Sequence, residues 1–529
     1  MPLLAKPIKY HLSVPGSKSL MNRALLCAAL ATGRSVLQDV IYCEDTVYML
    51  DALKALGIRI RRYPNHVVVF GNGGRFVLPR KPIYIGNAGT VRRFLAPYLP
   101  TGTLVGNSRM QQRPIADLET AMAELRLKNN VKISGTVSSQ FISALLMYAP
   151  TLKQRVTIQV IGKLVSAPYV QMTIDIMKRY GVTVKQQGAR LIIQPQHYKA
   201  AKYRVEGDAS SATYWWALAA ISSSHITVDN IPADTLQPDA RFKAVLAKMG
   251  CTVRGNTVIG PWERSLQPVT VNMSDYPDAV MSAAIAMSQA HGKSTITGIE
   301  HLVHKETDRL ALLKLNLRKL GISARTTKSS ITITGRNQKL WQTNIKTGDD
   351  HRFAMAFSLL NMSVDNKSCV QKSYPSFWQD LKRLQQQSKN QTIVLTGMRG
   401  VGKTTYGKQL AKRFKAKCID TDQSLTFRGD WKRFRNQEYA VVKRVAQKIN
   451  TIISTGGGTL MYPRNFKLLK QHYIVLLTAP LSILKKRLSK QTHRPALTKG
   501  KTVTQELAAV WKERQPTYLA VADNVYDCR

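Results

Sequence analysis

The clearest chemical pattern in the sequence is GMRGVGKTT at residues 397–405. It fits the phosphate-binding spacing G-x-x-x-x-G-K-[ST] through Gly397, Gly402, Lys403 and Thr404. In such a loop, backbone N–H groups surround the β-phosphate, the lysine contacts the β- and γ-phosphates, and the threonine ligates magnesium. The strand-like run IVLT before it and the helix-compatible sequence after it supply the expected context. The pattern predicts a nucleoside triphosphate site, and it identifies no acceptor.

Seven motifs upstream place Ser, Arg, Lys or Gln where a loop leads into a helix. At such junctions, unpaired backbone N–H groups and the helix dipole favour anions. Each motif alone is compatible with an ordinary capped helix, whereas seven together indicate a site for anionic ligands. The motifs are VPGSKSLMNRALL (14–26), IGNAGTVRRF (85–94), RMQQRPIADL (109–118), SSQF (138–141), HKETDRL (304–310), DDHRFAM (349–355) and QKSYPSFW (371–378).

A repeated pattern of helix end, glycine and alternating strand positions these motifs. It occurs as LKALGIRIR, MKRYGVTVK, LAKMGCTVR and LRKLGISAR, with Gly57, Gly181, Gly250 and Gly321 suited to the left-handed residue after a helix. A fifth copy, LRLKNNVKI, places Asn129 there. The starts lie 72, 52, 69 and 71 residues apart. This spacing predicts a repeated unit of helices and strands, one of which is shortened.

Composition indicates a multidomain protein with an unusual charge. A chain of 529 residues with 44% apolar content can bury several cores. Its net charge of +47, from 78 basic and 31 acidic residues, attracts polyanions. The excess is spread along the chain without a basic tail or a nucleic-acid-binding motif. Small phosphorylated or carboxylated substrates therefore explain the charge better than nucleic acid does.

Localisation and cysteine use point to the cytosol. Nowhere do eighteen apolar residues run without a charge or a break, and the first residues lack a secretory signal, so we expect a cytoplasmic protein without a membrane span. The cysteines show no C-x-x-C pair and no zinc-ligand spacing, which predicts reduced structural thiols; they are Cys27, Cys43, Cys251, Cys369, Cys418 and Cys528.

The motifs before residue 380 resemble those of the 5-enolpyruvylshikimate-3-phosphate (EPSP) synthase family. PGSKS, GNAGT, RPIADL, SSQF, VSAPY, VEGDASSA, PDAVM, HKETDR and DDHRFAM stand in the family's order over residues 14–378. An enolpyruvyl transferase acting on a UDP-sugar shares the fold, but KETDR and SSQF look like the shikimate enzyme. The resemblance implies an α/β module over 1–380 with two domains built of six βαβαββ units, one shortened. It also implies that the chain crosses between the domains near Val14 and Gly207, with helix N-termini at the cleft.

The resemblance also implies a reaction and its residues. The enolpyruvyl group of phosphoenolpyruvate would pass to the 5-hydroxyl of shikimate 3-phosphate, with Asp278 as base, Glu306 as proton donor, Lys18 touching both substrates, and no cofactor. Phosphoenolpyruvate would be held by Lys18, Gly89, Arg113, Gln140, Arg309, Arg352 and Lys372. Shikimate 3-phosphate would be held by Lys18, Ser19, Arg23, Ser138, Ser139, Gln140, Ser166, Tyr169, Asp278, His301 and Lys305.

Three departures from that family stand out. Only 24 residues separate Arg113 from Ser138, which predicts the loss of a strand pair. His301 and Val303 stand where the family usually has Asn and Arg. Phe94 replaces a common proline, which leaves sensitivity to glyphosate open.

The sequence from 393 to 529 resembles shikimate kinase. CIDTDQSL, FRNQE, STGGGT, HRPAL and KERQPTY follow the phosphate-binding loop in the family's order and imply a P-loop fold with a parallel sheet, like that of nucleoside monophosphate kinases. Only 12 residues separate Asp422 from Arg435, a shortened segment that leaves full activity open. The resemblance places ATP at Gly400, Val401, Gly402, Lys403, Thr404, Thr405 and Arg494, Mg²⁺ at Thr404 and Asp420, and shikimate at Asp422, Arg435, Gly457 and Arg514, with Lys403 and Asp422 catalytic.

Together, these features predict a bifunctional enzyme of chorismate synthesis. The polar, Gln-rich segment 381–392 is the expected linker, and the same order of modules occurs in the multi-enzyme polypeptide of the fungal pathway. Two alternatives remain at this stage: a basic P-loop ATPase acting on nucleic acid, and a degenerate fusion with an inactive module. The oligomeric state is not predicted.

Overall fold

The computed structural model describes residues 3–263, 265–335, 340–425, 427, 429–489 and 502–528. The N-terminal module, residues 3–390, alternates strands and helices. Its elements are β1 (Lys9–Leu12), α1 (Lys18–Leu30), β2 (Thr32–Gln38), α2 (Glu44–Ala55), β3 (Arg59–Arg62), β4 (His66–Asn72), β5 (Ile83–Tyr84), α3 (Gly89–Leu95), β6 (Leu104–Val105), α4 (Ser108–Gln112), α5 (Ala116–Leu127), β7 (Asn130–Ser134), α6 (Ser139–Tyr148), β8 (Val156–Ile161), α7 (Ala167–Arg179), β9 (Lys185–Gln187), β10 (Arg190–Ile193), β11 (Lys202–Arg204), α8 (Ala209–Ile221), β12 (His225–Val228), α9 (Phe242–Lys248), β13 (Thr252–Arg254), β14 (Thr257–Ile259), β15 (Thr270–Asn272), α10 (Val280–Ser288), β16 (Gly292–Thr297), α11 (Arg309–Lys319), β17 (Ser323–Thr326), β18 (Ser330–Gly335), β19 (Asn344–Ile345), α12 (His351–Ser358), β20 (Ser363–Val364) and α13 (Phe377–Asn390).

Six sheets reveal the repeated unit. Four have four strands in the orders β1-β12-β14-β13, β11-β2-β4-β3, β7-β8-β10-β9 and β15-β16-β18-β17. In each, the first pair is parallel and the other pairs are antiparallel, as in a βαβαββ unit. The remaining two sheets are the parallel pairs β5-β6 and β19-β20, which lack the closing hairpin in the described part of the chain. The predicted fold is confirmed, but two units are shortened where the sequence predicted one.

The chain crosses twice between two subdomains of this module. One hydrophobic core draws on residues 20–205, and the other on residues 4–14 and 209–384. We call these the N-terminal and C-terminal subdomains. At the crossing, Gly16 bridges Gly207, and the amide of Asp208 donates to the carbonyl of Pro15 at 2.8 Å. Strands β1 and β11 therefore each complete a sheet of the subdomain that the chain is about to leave.

Glycines end four of the helices as the repeat pattern predicts. Gly57, Gly181, Gly250 and Gly321 have φ of 86°, 83°, 95° and 81°, the left-handed region that glycine adopts without steric cost. The expectation for Asn129 is wrong, because Lys128 is already extended and Asn129 has no positive φ. Helix α5 leads directly into β7, the first strand of the next unit, so no hairpin turn is needed there.

The C-terminal module, residues 393–528, is built on one parallel sheet. Its five strands follow the order β22-β23-β21-β24-β25, with β21 central, and each neighbouring pair is parallel. Because the strands are parallel, their carboxyl ends share one edge of the sheet. The elements are β21 (Ile393–Gly397), α14 (Lys403–Phe414), β22 (Lys417–Asp420), α15 (Trp431–Val445), β23 (Thr451–Ser454), α16 (Pro463–Leu469), β24 (Tyr473–Thr478), α17 (Leu481–Leu488), α18 (Val503–Val521) and β25 (Asn524–Asp527).

The segment predicted to be a linker is mostly helical. Helix α13 runs to Asn390, and Leu381 and Leu384 are buried in the C-terminal subdomain. Only Gln391 and Thr392 separate this helix from β21. The segment is therefore the last helix of the sixth unit, because its apolar residues recur at helical spacing beneath a polar face. Within the described residues, no helix is long and apolar enough to span a membrane.

Candidate active sites

Helix N-termini from both subdomains carry the predicted anion-binding residues. Caps on Ser17, Ser138, Asp308 and Asp350 accept from backbone amides and begin α1, α6, α11 and α12. A capped first turn keeps the following side chain at the helix entrance, where the dipole favours an anion. The residues placed at these four entrances are Lys18, Ser139, Arg309 and Arg352.

Asp45 joins two of the predicted lysines across the cleft. Its carboxylate accepts from the Nζ atoms of Lys18 at 2.8 Å and Lys372 at 2.7 Å. Lys372, from the C-terminal subdomain, also donates to the carbonyl of Asn87 at 2.9 Å. Burial by itself would raise the pKa of Asp45, but the two lysine charges outweigh burial and lower it. Neither Asp45 nor Asn87 was identified from the sequence, where each looks like an ordinary helix or loop residue.

Arg309 and Arg352 organise the carboxylates on the other side. Arg309 contacts Asp278 at 3.1 Å, Glu306 at 2.7 Å and Asp350 at 2.7 Å. Arg352 pairs with Asp278 at 2.7 Å. Because Arg309 is only 1% exposed, these carboxylates supply the partners that a buried guanidinium requires.

The two proposed acid–base residues are ionised in this arrangement. Burial alone would raise the pKa of Asp278, but the charges of Arg352, Lys305 and Arg309 lower it. Burial would likewise raise the pKa of Glu306, and nearby cations, Arg309 first among them, hold it well below its usual range. Glu306 therefore holds no proton to donate until the surrounding positive charge is reduced.

The Arg113 side chain packs closely against the backbone at Asn87 and Gly89. The Arg113 guanidinium donates to the carbonyl and the side-chain oxygen of Asn87, both at 3.1 Å. A Cβ on Gly89 would lie 2.5 Å from the Cζ atom of Arg113, so a larger residue there would displace the Arg113 guanidinium from this position. The Nε atoms of Arg113 and Arg352 are buried and find no hydrogen-bond partner among the described residues. Such donors are costly unless a ligand satisfies them.

Eight of the eleven residues predicted to hold shikimate 3-phosphate lie on α1, α6 and α7 or at the N-caps of these helices. Arg23 donates to the carbonyls of Ser19 at 2.8 Å and Tyr169 at 3.3 Å. The Tyr169 hydroxyl donates to Asp239, whose pKa is raised to about 7 by burial and by the charge of Asp278. Gln140 follows Ser138 and Ser139 in the first turn of α6, and its side-chain oxygen accepts from Arg93 at 2.7 Å. Ser166 occupies the N-cap position of α7 with φ 55°, and its amide donates to the carbonyl of Ser274 at 3.0 Å. Asp239 and Arg93 were not identified from the sequence.

His301 and Lys305 face the same carboxylate. Burial, together with the charge of Lys305, lowers the pKa of His301 to about 3, so its imidazole is neutral. Both of its ring nitrogens are buried without a partner in the described part of the chain. Burial also lowers the pKa of Lys305 to about 8, against the opposing charge of Asp278.

Arg109 fastens the two subdomains together. From α4 in the N-terminal subdomain it donates to the carbonyls of Val303 at 3.1 Å, Lys305 at 3.0 Å and Glu306 at 3.2 Å. The sequence predicted an anion-binding motif around Arg109, but it did not predict that Arg109 bonds to the other subdomain. The loop that presents Lys305 and Glu306 is thereby held from across the cleft.

A second site lies at the carboxyl edge of the parallel sheet. A cavity of about 830 Å³ is lined by the loop and first turn that follow β21. Gly397, Gly400 and Gly402 have φ of 139°, 75° and 100°, which lets the loop wrap a phosphate. Lys403 donates to the carbonyls of Gly397 at 2.9 Å and Met398 at 3.0 Å.

Oxygen ligands suited to a hard cation adjoin this loop. The Thr404 hydroxyl donates to the carboxylate of Asp420 at the end of β22, and both line the cavity. Mg²⁺ prefers such hydroxyl and carboxylate oxygens together with phosphates, so these two residues fit it. Elsewhere in the described residues, no group of three or more His, Cys, Asp or Glu side chains is placed to hold a metal.

Three consecutive glycines, Gly456 to Gly458, lie against the residues predicted to bind shikimate. A Cβ on Gly456 would lie 2.6 Å from Asp422 Oδ1, one on Gly457 3.7 Å from Arg514, and one on Gly458 3.0 Å from Arg435. The Nε atoms of both arginines are buried and find no partner within the described ranges. Arg435 also pairs with Glu438 at 2.8 Å.

An arginine side chain and loop residues complete the lining of the nucleotide cavity. Arg494, predicted to cover the nucleotide, lies outside the described residues. Arg487, which the sequence did not single out, lines the cavity and donates to the carbonyl of Val401 at 3.3 Å. The remaining predicted nucleotide residues, Gly400, Val401, Gly402 and Thr405, line the same cavity.

Comparison with known proteins supports both resemblances. Residues 4–381 match the family described as EPSP synthase (3-phosphoshikimate 1-carboxyvinyltransferase), and residues 399–529 match shikimate kinase. The pentafunctional AROM polypeptide of Yarrowia lipolytica is 32% identical over 603 residues, covering 98% of this chain. That of Schizosaccharomyces pombe is 33% identical over 598 residues, covering 95%. The chain spans 38% of the length of each.

Solved structures share the fold of the N-terminal module. EPSP synthase from Acinetobacter baumannii aligns with a TM-score of 0.59 at 20% identity, covering 72% of this chain and 96% of that one. The enolpyruvyl transferase NikO from Streptomyces tendae aligns with a TM-score of 0.55 at 14% identity, covering 72% and 95%. The two family matches favour the small-molecule interpretation over a nucleic-acid ATPase. The chain belongs to the EPSP synthase family and carries a shikimate kinase domain after it.

Proposed function

We propose that this chain catalyses two consecutive transfers on one carbon skeleton. The C-terminal module moves the γ-phosphoryl group of ATP to a hydroxyl of shikimate. The N-terminal module then joins the product, shikimate 3-phosphate, to the enolpyruvyl group of phosphoenolpyruvate and releases phosphate. Both reactions belong to the synthesis of chorismate and the aromatic amino acids. The family matches and the geometry of the two sites support this assignment.

The observation that carries the transferase assignment is a buried excess of cations. Lys372 pairs with Asp45 across the cleft, and the other ion pairs of these cations lie within one subdomain on either side of it. We define the cleft cluster as the six cations Lys18, Arg113, Lys305, Arg309, Arg352 and Lys372 and the four carboxylates Asp45, Asp278, Glu306 and Asp350. Because cations outnumber carboxylates in this cluster, and the Nε donors of Arg113 and Arg352 find no partner among the described residues, an anion completes both the charge balance and the hydrogen bonds.

The same cations control when Glu306 can act as an acid. Its pKa is depressed by Arg309, Arg113, Lys372 and Lys18. An anionic substrate bound to these groups neutralises part of their field, so the pKa of Glu306 rises toward the range in which it holds a proton. Glu306 then donates that proton to the methylene carbon of phosphoenolpyruvate.

Asp278 supplies the complementary base. It is ionised in the free site, and it accepts the proton of the attacking 5-hydroxyl as that oxygen bonds to the central carbon of phosphoenolpyruvate. The Glu306 carboxylate then removes a proton from the new methyl group, and that C–H electron pair restores the double bond as the C–O bond breaks and phosphate leaves; Asp278 returns the hydroxyl proton to solvent. Lys18, Arg309 and Arg352 stabilise the negative charge of the tetrahedral intermediate.

The kinase residues have equally specific roles. Lys403 and the loop amides hold the β- and γ-phosphates, and Asp422 faces the acceptor hydroxyl, with Gly457 giving backbone access. Arg435 and Arg514, whose Nε donors are buried without a partner in the described chain, bind the shikimate carboxylate. Thr404 and Asp420 would hold Mg²⁺, which supplies charge neutralisation between the phosphates when bound.

We also propose the limits of the two modules and their location. The kinase comprises 393–529, and the transferase, expected from the sequence to cover 1–380, extends to 390 because α13 belongs to it; the matched ranges support this division. The small-molecule substrates are the partners, and the protein acts in the cytosol. Native-state hydrogen exchange, read for two units that unfold separately and divide near 391–392, and fractionation of cells would test these two statements.

One assay tests the pair of activities. Purified protein receives shikimate, ATP, Mg²⁺ and phosphoenolpyruvate, and phosphate release must require both shikimate and phosphoenolpyruvate. Lys403→Ala should abolish phosphorylation of shikimate while leaving supplied shikimate 3-phosphate a substrate. Lys408→Ala, an exposed lysine on the same helix, is the control and should leave both steps intact. If Lys403→Ala also blocks the conversion of supplied shikimate 3-phosphate, the proposal that the two reactions occur at independent sites is refuted.

A further inference from the structure

One tryptophan of the N-terminal module is buried in the C-terminal one. Trp262 follows β14 and is 2% exposed, within the core formed by Ile393, Leu395 and Tyr406. Its indole stacks on Tyr473 with ring centroids 5.6 Å apart. Its Nε1–H donates to the hydroxyl of Tyr406 at 2.9 Å.

Tyr406 connects this contact to the nucleotide cavity. It lies three residues after Lys403 in the first turn of α14, and its ring stacks on Tyr526 at 4.8 Å. Both tyrosines line the cavity that contains the phosphate-binding loop. Residues three apart on a helix share a face, so a shift of Tyr406 also moves Lys403 and the loop amides.

The neighbouring residue reinforces the same connection. Glu263 adopts φ 51°, a left-handed conformation that costs a non-glycine residue energy and persists only where its surroundings impose it. Its carboxylate pairs with Arg413 near the other end of α14 and faces the hydroxyls of Tyr406 and Tyr526. Helix α14 is thus held by the N-terminal module at both of its ends.

Further bonds fix the edge of the sheet nearby. Asn524 donates to the carbonyl of Gly260 at 2.7 Å, and Asp523 pairs with Lys9 at 2.9 Å and with His225 at 2.7 Å. The Tyr473 hydroxyl donates to the carbonyl of Ser223. Strands β24 and β25, which carry Tyr473 and Tyr526, are therefore anchored to the same surface as α14.

We propose that Trp262 and Glu263 are positioning residues for the kinase nucleotide site, and that the transferase module thereby sets the affinity of the kinase for ATP. The hydrogen bond from Trp262 fixes the Tyr406–Tyr526 pair and, through α14, the loop that receives the phosphates. This proposal rests on the kinase function proposed above, and it adds that this function depends on a residue outside the kinase domain.

A double-mutant cycle on the full chain tests it. Trp262→Phe keeps an aromatic ring against Tyr473 and removes only the indole donor, and Tyr406→Phe removes the acceptor. Each change should raise KM for ATP about five- to tenfold, the loss typical of one buried hydrogen bond. KM for shikimate should stay unchanged. The double variant should be no worse than Tyr406→Phe alone, because Tyr406→Phe already lacks the bond from Trp262; it also loses the contact of its hydroxyl with Glu263. Trp341→Phe, at a tryptophan 67% exposed, is the matched control.

The transferase activity of each variant with supplied shikimate 3-phosphate reports whether the protein is folded. Equal losses in both activities, or additive effects in the double variant, would refute positioning through this bond. An unchanged KM for ATP in both single variants would also refute it. If the wild-type protein shows no shikimate-dependent ATP turnover, the proposed function fails instead. The affinity of the same variants for a fluorescent ATP analogue then still decides the inference.

Discussion

Arg109 offers the sharpest test of how the transferase cleft is held closed. It is the side chain that reaches from α4 to three carbonyls of the loop 303–306 in the other subdomain. That loop presents Lys305 and Glu306 to the cleft cluster. Arg109→Ala removes all three bonds without altering any residue proposed to touch a substrate.

The expected effect follows from the bonds that are lost. A hydrogen bond of this kind contributes about 1 kcal/mol net, so three contribute about 2–3 kcal/mol, after allowing for partial exposure of the guanidinium. This energy favours the arrangement in which the loop 303–306 presents Lys305 and Glu306 to the cleft cluster. Its loss should lower kcat/KM for the transferase about 30- to 150-fold.

The assay follows phosphate release from supplied shikimate 3-phosphate and phosphoenolpyruvate. The kinase activity of the same polypeptide is an internal control and should remain at the wild-type level. Arg109→Lys keeps the charge but lacks the planar fork that reaches several carbonyls, so it should fall between wild type and alanine. Arg62→Ala removes an ion pair with Asp51 within the N-terminal subdomain and should have little effect.

Two results would refute this reasoning. If kcat/KM for Arg109→Ala stays within threefold of wild type, about 0.65 kcal/mol, the three bonds do not govern the position of the loop 303–306. If the kinase activity falls in parallel, the substitution acts on overall folding instead.

Two further predictions concern the cleft. Lys305 must be protonated to bind an anion, and its pKa is lowered to about 8 by burial, so kcat/KM for shikimate 3-phosphate should fall as the pH rises through about 8. Lys305→Arg should remove that inflection, because arginine stays charged; a persistent inflection near pH 8 would assign it to another group. His301 is neutral with both nitrogens unpartnered in the described chain, so His301→Asn should retain activity, whereas His301→Leu should raise KM for shikimate 3-phosphate about tenfold or more. Equal KM values for these two variants would show that no hydrogen bond is made there.

The shortened units show where sequence reasoning reached its limit. The 24 residues between Arg113 and Ser138 correctly indicated one missing hairpin. The second missing hairpin would follow α13. Its loss did not show as a short interval between two motifs of the same family, because β21 of the next module begins three residues after α13 ends. The same proximity made a helix with buried Leu381 and Leu384 look like a polar linker.

The candidate sites divide in the same way. Motif residues such as Lys18, Arg309 and Lys403 lie at helix entrances, which local caps and glycines define. Their partners Asp45 and Asp239 lie outside the motifs and carry no comparable local pattern. Charge alone did not identify them either, since 31 acidic residues are spread along the chain.

The sequence by itself determined the order of the motifs, the family and the local geometry of turns and phosphate loop. These depend on near neighbours, because capping and the sterics of φ act within a few residues. Only the tertiary structure decided that Asp45 meets Lys372, 327 residues away, and that Trp262 enters the core of the other module. Such contacts follow from how subdomains close and modules dock, and that geometry leaves no periodic trace in the chain.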